Sequence, residues 1–166
     1  MPYFDVDRYF EALDAERERR GLSWAALTRE LNAPFSHRPD IHPISTSTIT
    51  GLRGRASLNG NIVVHTLMWL RRSPEEFVDG HPVEPRPLPQ LEAGRLPRWN
   101  TESLYDALDQ QRDMRGLAWT EAAAQVGEFT PEMLKSLRKS VGFPRVMRVL
   151  AWLQRPAADF VVNLPV

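Results

Sequence analysis

No cysteine occurs in the chain, so disulfides and thiolate metal sites are excluded and a reducing compartment is the natural expectation. No apolar run approaches the roughly 18 residues that mark a membrane span, and no basic flank with an apolar stretch opens the sequence. A soluble, cytoplasmic protein is expected. Also missing are a glycine-rich phosphate loop, a nucleophile beside a base motif and paired carboxylates in a plausible cleft, so the sequence argues against an enzyme. Net charge is zero, which by itself argues against a polyanion as partner.

The distribution of charge reverses that last inference. Residues 41–73 contain Arg53, Arg55, Arg71 and Arg72 and no acid at all. Residues 129–158 hold Lys135, Arg138, Lys139, Arg145, Arg148 and Arg155 against the single acid Glu132. Segregation of this kind suits a surface facing a phosphate backbone, because local potential steers association. Two ordinary solvated faces that sort by sign are the alternative.

What the sequence does have is an internal duplication. Ala12, Leu13, Asp14, Arg17, Arg20, Gly21, Leu22 and Trp24 return in order as Ala107, Leu108, Asp109, Arg112, Arg115, Gly116, Leu117 and Trp119. Further on, Val63, Leu67, Trp69, Leu70, Arg72, Phe77 and Val78 return as Val146, Leu150, Trp152, Leu153, Arg155, Phe160 and Val161. Two copies of one unit are fused in tandem. Units of roughly 70 to 80 residues can just close a core, and the 42% apolar composition suffices to fill both. Residues 1–80 form the first domain and 99–166 the second. Between them, 81–98 carry Pro82, Pro85, Pro87, Pro89 and Pro97, which deny helix and favour an extended, semi-rigid spacer.

Periodicity predicts five helices per copy. In the first, Val6, Tyr9, Phe10 and Leu13 recur at helical spacing, Glu16 and Arg20 form a surface ion pair, and Gly21 closes the helix. Ser23 caps a second helix to Asn32, and Ser45 caps a third over 46–53 with Ile49 and Leu52 inward. Asn59 or Asn61 opens a fourth, and Ser73-Pro74-Glu75-Glu76 starts a short fifth. The second copy repeats this plan over 101–115, 119–126, 131–139, 144–154 and a turn near 159–161. Only the tail 160–166 shows convincing period-two alternation, so the expected fold class is all-α.

Trp119-Thr120-Glu121-Ala122-Ala123-Ala124-Gln125-Val126-Gly127, then Phe129-Thr130 before 131–139, has a small residue inside one helix, a Gly at the turn and an apolar residue after it. The arrangement resembles the lambda-repressor-like (XRE) helix-turn-helix family over most of both copies. The resemblance implies that the third helix of each copy enters the DNA major groove, its N-terminal residues meeting base edges. By position, Thr46, Ser47 and Thr50 would read bases, with Gly51 close by, while Arg53 and Arg55 would clamp phosphates. Capping and solvation of the hydroxyls are the alternative for this stretch. In the second copy Lys135, Ser136, Arg138 and Lys139 would contact DNA.

Two departures stand out. Pro131 and Glu132 occupy the second copy's reading positions; Glu132 either accepts from a cytosine amino group or complements the helix dipole, and this copy either binds less selectively or packs as a partner. In the first copy about ten extra residues, 33–44, sit between the second and third helices. Their His37, His42 and Asp40 lack metal-ligand spacing, so no metal or other cofactor is expected; Arg38 is placed to touch phosphate or a partner. Trp24 with Trp119 and Trp69 with Trp152 recur as core residues, and Trp99 stands alone near the linker. The expected function is that of a sequence-specific, double-stranded-DNA-binding transcriptional regulator, a repressor acting by occlusion. The alternative is a helical module that holds a protein such as a toxin, sigma factor or phage protein. Either a monomeric pseudo-dimer or a homodimer through the apolar tail 160–166 is compatible with the sequence.

Overall fold

Asp5 accepts from the Arg8 amide and opens α1 (Val6–Arg19), whose apolar positions bury Tyr9 and Leu13. Glu16 and Arg20 lie 2.9 Å apart one turn from its end. Ser23 caps α2 (Trp24–Asn32), and Ser45 caps α3 (Thr46–Thr50), which continues into a 3-10 turn at Leu52–Gly54. Asn59 caps α4 (Gly60–Leu70), a helix buried nearly all round, and a capping box at Ser73 starts the 3-10 turn Pro74–Phe77. The second copy runs through α5 (Thr101–Met114), α6 (Trp119–Val126), α7 (Pro131–Lys135), a 3-10 turn at Ser136–Arg138, α8 (Val146–Leu153) and a 3-10 turn at Ala157–Phe160. The predicted fifth helix of each copy is thus a single 3-10 turn. The computed structural model describes residues 3–166.

The all-α expectation is corrected. Helix covers 55% of the chain and strand 10%, in two antiparallel two-stranded sheets, so the fold is a mixed α/β one. One sheet pairs β1 (Leu58–Asn59) with β3 (Gly142–Phe143). The other pairs β2 (Arg95–Trp99), the end of the proline-rich segment, with β4 (Val161–Pro165), the apolar tail. Two-residue strands are too short to show a period, and Pro97 disguises β2. In a two-stranded sheet every strand is an edge, where a residue without an N–H is tolerated. Of the tail's apolar side chains Phe160 and Val161 are buried within the chain, while Leu164, at 46%, and Pro165 are exposed.

The duplication repeats down to individual contacts. Arg17 bonds Asp14 at 2.6 Å and the Leu22 carbonyl at 2.7 Å; Arg112 bonds Asp109 and the Leu117 carbonyl, both at 2.7 Å. Trp69 donates to Glu30 at 2.8 Å and Trp152 to Gln125 at 3.0 Å. The Asp5 amide donates to the Phe77 carbonyl as the Asn100 amide does to that of Phe160, at 2.8 and 2.7 Å. The bridge between Phe4 and Val78 corresponds to the Trp99–Val161 pair in β2–β4. Trp99, solitary in the sequence, is thus the second copy's counterpart of Phe4.

Both copies feed one continuous core, with Leu13, Leu27, Ile49, Val63 and Leu67 from one and Leu104, Leu108, Leu134, Val146 and Leu150 from the other. The β1–β3 ribbon lies at their junction. Carrying the Val63/Val146 equivalence back four residues makes Asn59 the counterpart of Gly142, and these two residues are paired in the ribbon. Antiparallel pairing of a segment with its own counterpart has a local two-fold axis at that pair, the isologous geometry of a symmetric dimer. A second contact pair obeys the same axis. Phe4 packs its ring on Phe143, centroids 5.0 Å apart, while its counterpart Trp99 donates to the carbonyl of Gly60, the counterpart of Phe143, at 3.0 Å.

Candidate nucleic-acid interface

The extra loop 33–44 is closed at its base. The Asn32 side chain both donates to the Ile44 carbonyl and accepts from the Ile44 amide, each at 2.9 Å. Phe35 plugs the loop into the core beside His65. Loop closure costs little more as a loop lengthens, and with its ends pinned the excursion leaves α3 packed on α2 as α7 is packed on α6. In the second copy Gly127, at φ 82°, makes the tight turn directly. Arg38 is occupied by Asp40 at 2.6 Å, an exposed pair within the loop. Among the described residues no three His, Asp or Glu side chains converge as a metal site.

On α3, Thr46 is half-buried while Ser47 and Thr50 are exposed. Ser45, the cap, accepts from the Thr48 amide and shares a hydrogen bond with the Thr48 hydroxyl at 2.7 Å. The Thr50 hydroxyl turns back to the Thr46 carbonyl at 3.2 Å. Ser47 is 3.2 Å from the Ser45 hydroxyl, a contact easily exchanged for another acceptor. On α7, Thr130 caps through the Met133 amide at 3.1 Å, Pro131 occupies the first helical position, and exposed Glu132 forms no ion pair among the described residues. The Ser136 hydroxyl bonds the Met133 carbonyl at 2.7 Å.

Each third helix is braced by a stacked column. In the first copy Arg17 lies 4.7 Å over Trp24, Trp24 stacks on Phe10 at 5.4 Å, and Arg53 caps Phe10 at 5.8 Å. In the second, Arg112 lies 4.7 Å over Trp119, Trp119 stacks on Tyr105 at 5.8 Å, and Arg138 covers Tyr105 at 4.1 Å, with Lys135 5.7 Å from the Trp119 ring. Exposed cation–π contacts are worth about 0.5–1 kcal/mol each, so the columns orient the arginines without locking them. The sequence signals Trp24 and Trp119 as core; the structure leaves both half-buried, in the middle of these columns.

The copies differ in what the arginine at the end of the column meets. Arg53 pairs with Asp7 at 3.1 Å and Glu11 at 3.3 Å, both on α1, so segregation of charge along the sequence is cancelled in space. All three side chains are more than half exposed, which makes this a weak surface network. Arg55 is exposed with no carboxylate partner among the described residues. In the second copy Lys135, Arg138 and Lys139 are all exposed and free of ion pairs among the described residues, as is Arg145. Arg145 was visible in the sequence only as one charge among six.

Among the described residues no helix is long and apolar enough to cross a membrane. Comparison with protein-family models, with curated proteins and with solved structures finds no match.

Proposed function

We propose that this protein is a sequence-specific double-stranded-DNA-binding transcriptional regulator in which one chain supplies both halves of a symmetric reader, repressing by occlusion. The observation that carries the reading is the isologous β1–β3 ribbon: its local two-fold axis, extended through the repeated helices, would relate α3 to α7 as the two halves of a palindromic site are related. Division of labour between the copies supports it further. Exposed hydroxyls at Ser47 and Thr50, with Thr46 beside them, suit base edges under α3. The unpaired cations Lys135, Arg138, Lys139 and Arg145 suit phosphates around α7. In this reading Arg53 must leave Asp7 and Glu11 to reach a phosphate, and the exposure of that network keeps the cost small.

Titrating salt against binding to a duplex of random sequence tests the proposal. Displacement of counterions makes log K fall linearly with log salt, by about 0.9 per neutralised phosphate. A slope of several units is expected. Affinity independent of salt, or none tighter than about 0.1 mM, would direct attention to a protein partner instead.

A further inference from the structure

A cleft of about 240 Å³ opens between the base of the 33–44 loop, the start of α3, the β1–α4 junction and β2. Its walls include Phe35, Ser45, Thr48, Asn59, His65 and Arg98. Two of these have unspent bonding capacity. Arg98 is half-buried, and among the described residues its guanidinium hydrogen-bonds only the carbonyl of its neighbour Pro97, at 2.8 Å, and has no carboxylate partner. His65 lines the cleft and is 1% exposed; its Nε2 is fully buried, and neither ring nitrogen has a side-chain hydrogen bond of normal geometry among the described residues. A half-buried guanidinium without a counter-ion, beside a buried imidazole without a hydrogen bond of normal geometry, leaves desolvation on both sides uncompensated.

We infer that this cleft binds a small hydroxylated organic anion, its carboxylate or phosphate received by Arg98 and its hydroxyl hydrogen-bonded to the His65 ring. The fork of a guanidinium matches either anion. The volume lies below the roughly 300–1,000 Å³ of pockets for drug-sized ligands, which limits the occupant to a small metabolite. Ser45 and Thr48 of the wall belong to the start of α3, so occupancy acts on the candidate reading helix; that consequence, unlike the binding itself, rests on the DNA-binding reading.

Binding is measured without DNA, so its failure and that of the DNA reading are separable. Gluconate, citrate and glycerol 3-phosphate are titrated at pH 7.5, with succinate and inorganic sulfate as probes lacking a hydroxyl, and ¹⁵N spectra of the wild-type protein are recorded. At least one hydroxylated anion is expected to saturate, shifting the His65 ring nitrogens and the amides around Arg98 and Thr48, and to bind at least tenfold more tightly than succinate or sulfate. Carboxylate against phosphate probes identifies the anion. Arg98→Gln should abolish the effect and Arg98→Lys weaken it, each checked for an unchanged far-ultraviolet spectrum. Shifts that do not saturate, that lie away from His65, or that survive in Arg98→Gln would overturn the proposal, and the wild-type spectra decide it even if the variants fail to fold.

Discussion

Gly60→Ala tests the junction of the two copies with a single methyl group. A Cβ at Gly60 would sit 2.4 Å from the Val141 carbonyl oxygen and 3.1 Å from both Trp99 Nε1 and a Val141 methyl. Real Cβ atoms do not come within 3.0 Å of such neighbours, so the ribbon must open by at least about 0.6 Å. The backbone oxygen has no rotamer by which to retreat. Opening weakens two hydrogen bonds that cross the junction, Gly60 N–H to Val141 at 3.0 Å and Trp99 Nε1–H to Gly60 at 3.0 Å. At about 0.5–1.5 kcal/mol each, with about 1–3 kcal/mol for overpacking, and offset by up to about 1 kcal/mol for replacing Gly in a helix, the net loss is about 1–6 kcal/mol. For a chain of this size the melting temperature should fall by roughly 2–24 °C. Urea denaturation followed by tryptophan fluorescence measures it. Gly54→Ala is the control, because a Cβ there meets nothing within 4 Å, and it should stay within about 0.5 kcal/mol of wild type. Equal stabilities of the two variants would refute the close backbone approach on which the two-fold arrangement depends.

Replacing Lys135, Arg138 and Lys139 together by Ala should flatten the salt slope of duplex binding by about 2–3 units, whereas Arg53→Ala with Arg55→Ala should flatten it by about 1–2, since Arg53 must first leave Asp7 and Glu11. Parallel titrations read both, and the reverse ranking would place the phosphate clamp on the first copy. Thr46→Ala with Ser47→Ala should relax base preference in one half-site by at most about 1–3 kcal/mol per lost contact, while Glu132→Gln should tighten binding to all duplexes modestly and less at high salt. Loss of specificity in Glu132→Gln, seen by competition with scrambled DNA, would make that carboxylate a base reader. Burial, aided by the Arg98 charge, holds the His65 imidazole down to about 4 from its ordinary 6.5. Its neutral form therefore contributes stability that is fully present above pH 6.5 and is lost as pH falls towards 4, on the order of 3 kcal/mol in all. His65→Leu should show a shallower loss than wild type across that window in urea denaturation, and identical pH profiles would contradict the burial argument.

Long periodic segments were legible in the sequence because their caps and apolar spacing are local. Ser23 to Asn32 and Trp119 to Val126 match α2 and α6 residue for residue. The duplication was equally legible, since it needs only comparison of the chain with itself. Strands were not, because β1 and β3 are two residues long and exist only through each other, and because β2 hides a proline. Positions of the candidate reading residues followed from the helix caps, but their electrostatic state did not. Arg53 is neutralised by Asp7 and Glu11, which lie 46 and 42 residues away in sequence. Nor does any local signal join His65 to Arg98, one on a helix of the first copy and the other on the strand leading into the second.

Whether one chain reads DNA as both halves of a dimer is decided by selection of bound sequences from a random duplex library at low salt. Enrichment of a single bipartite site is predicted, with inverted half-sites about one helical turn apart and unequal information, richer under the hydroxyls of α3 than under Pro131 and Glu132 of α7. A library that emerges unenriched, or an enriched site with only one half and no inverted partner, would contradict it.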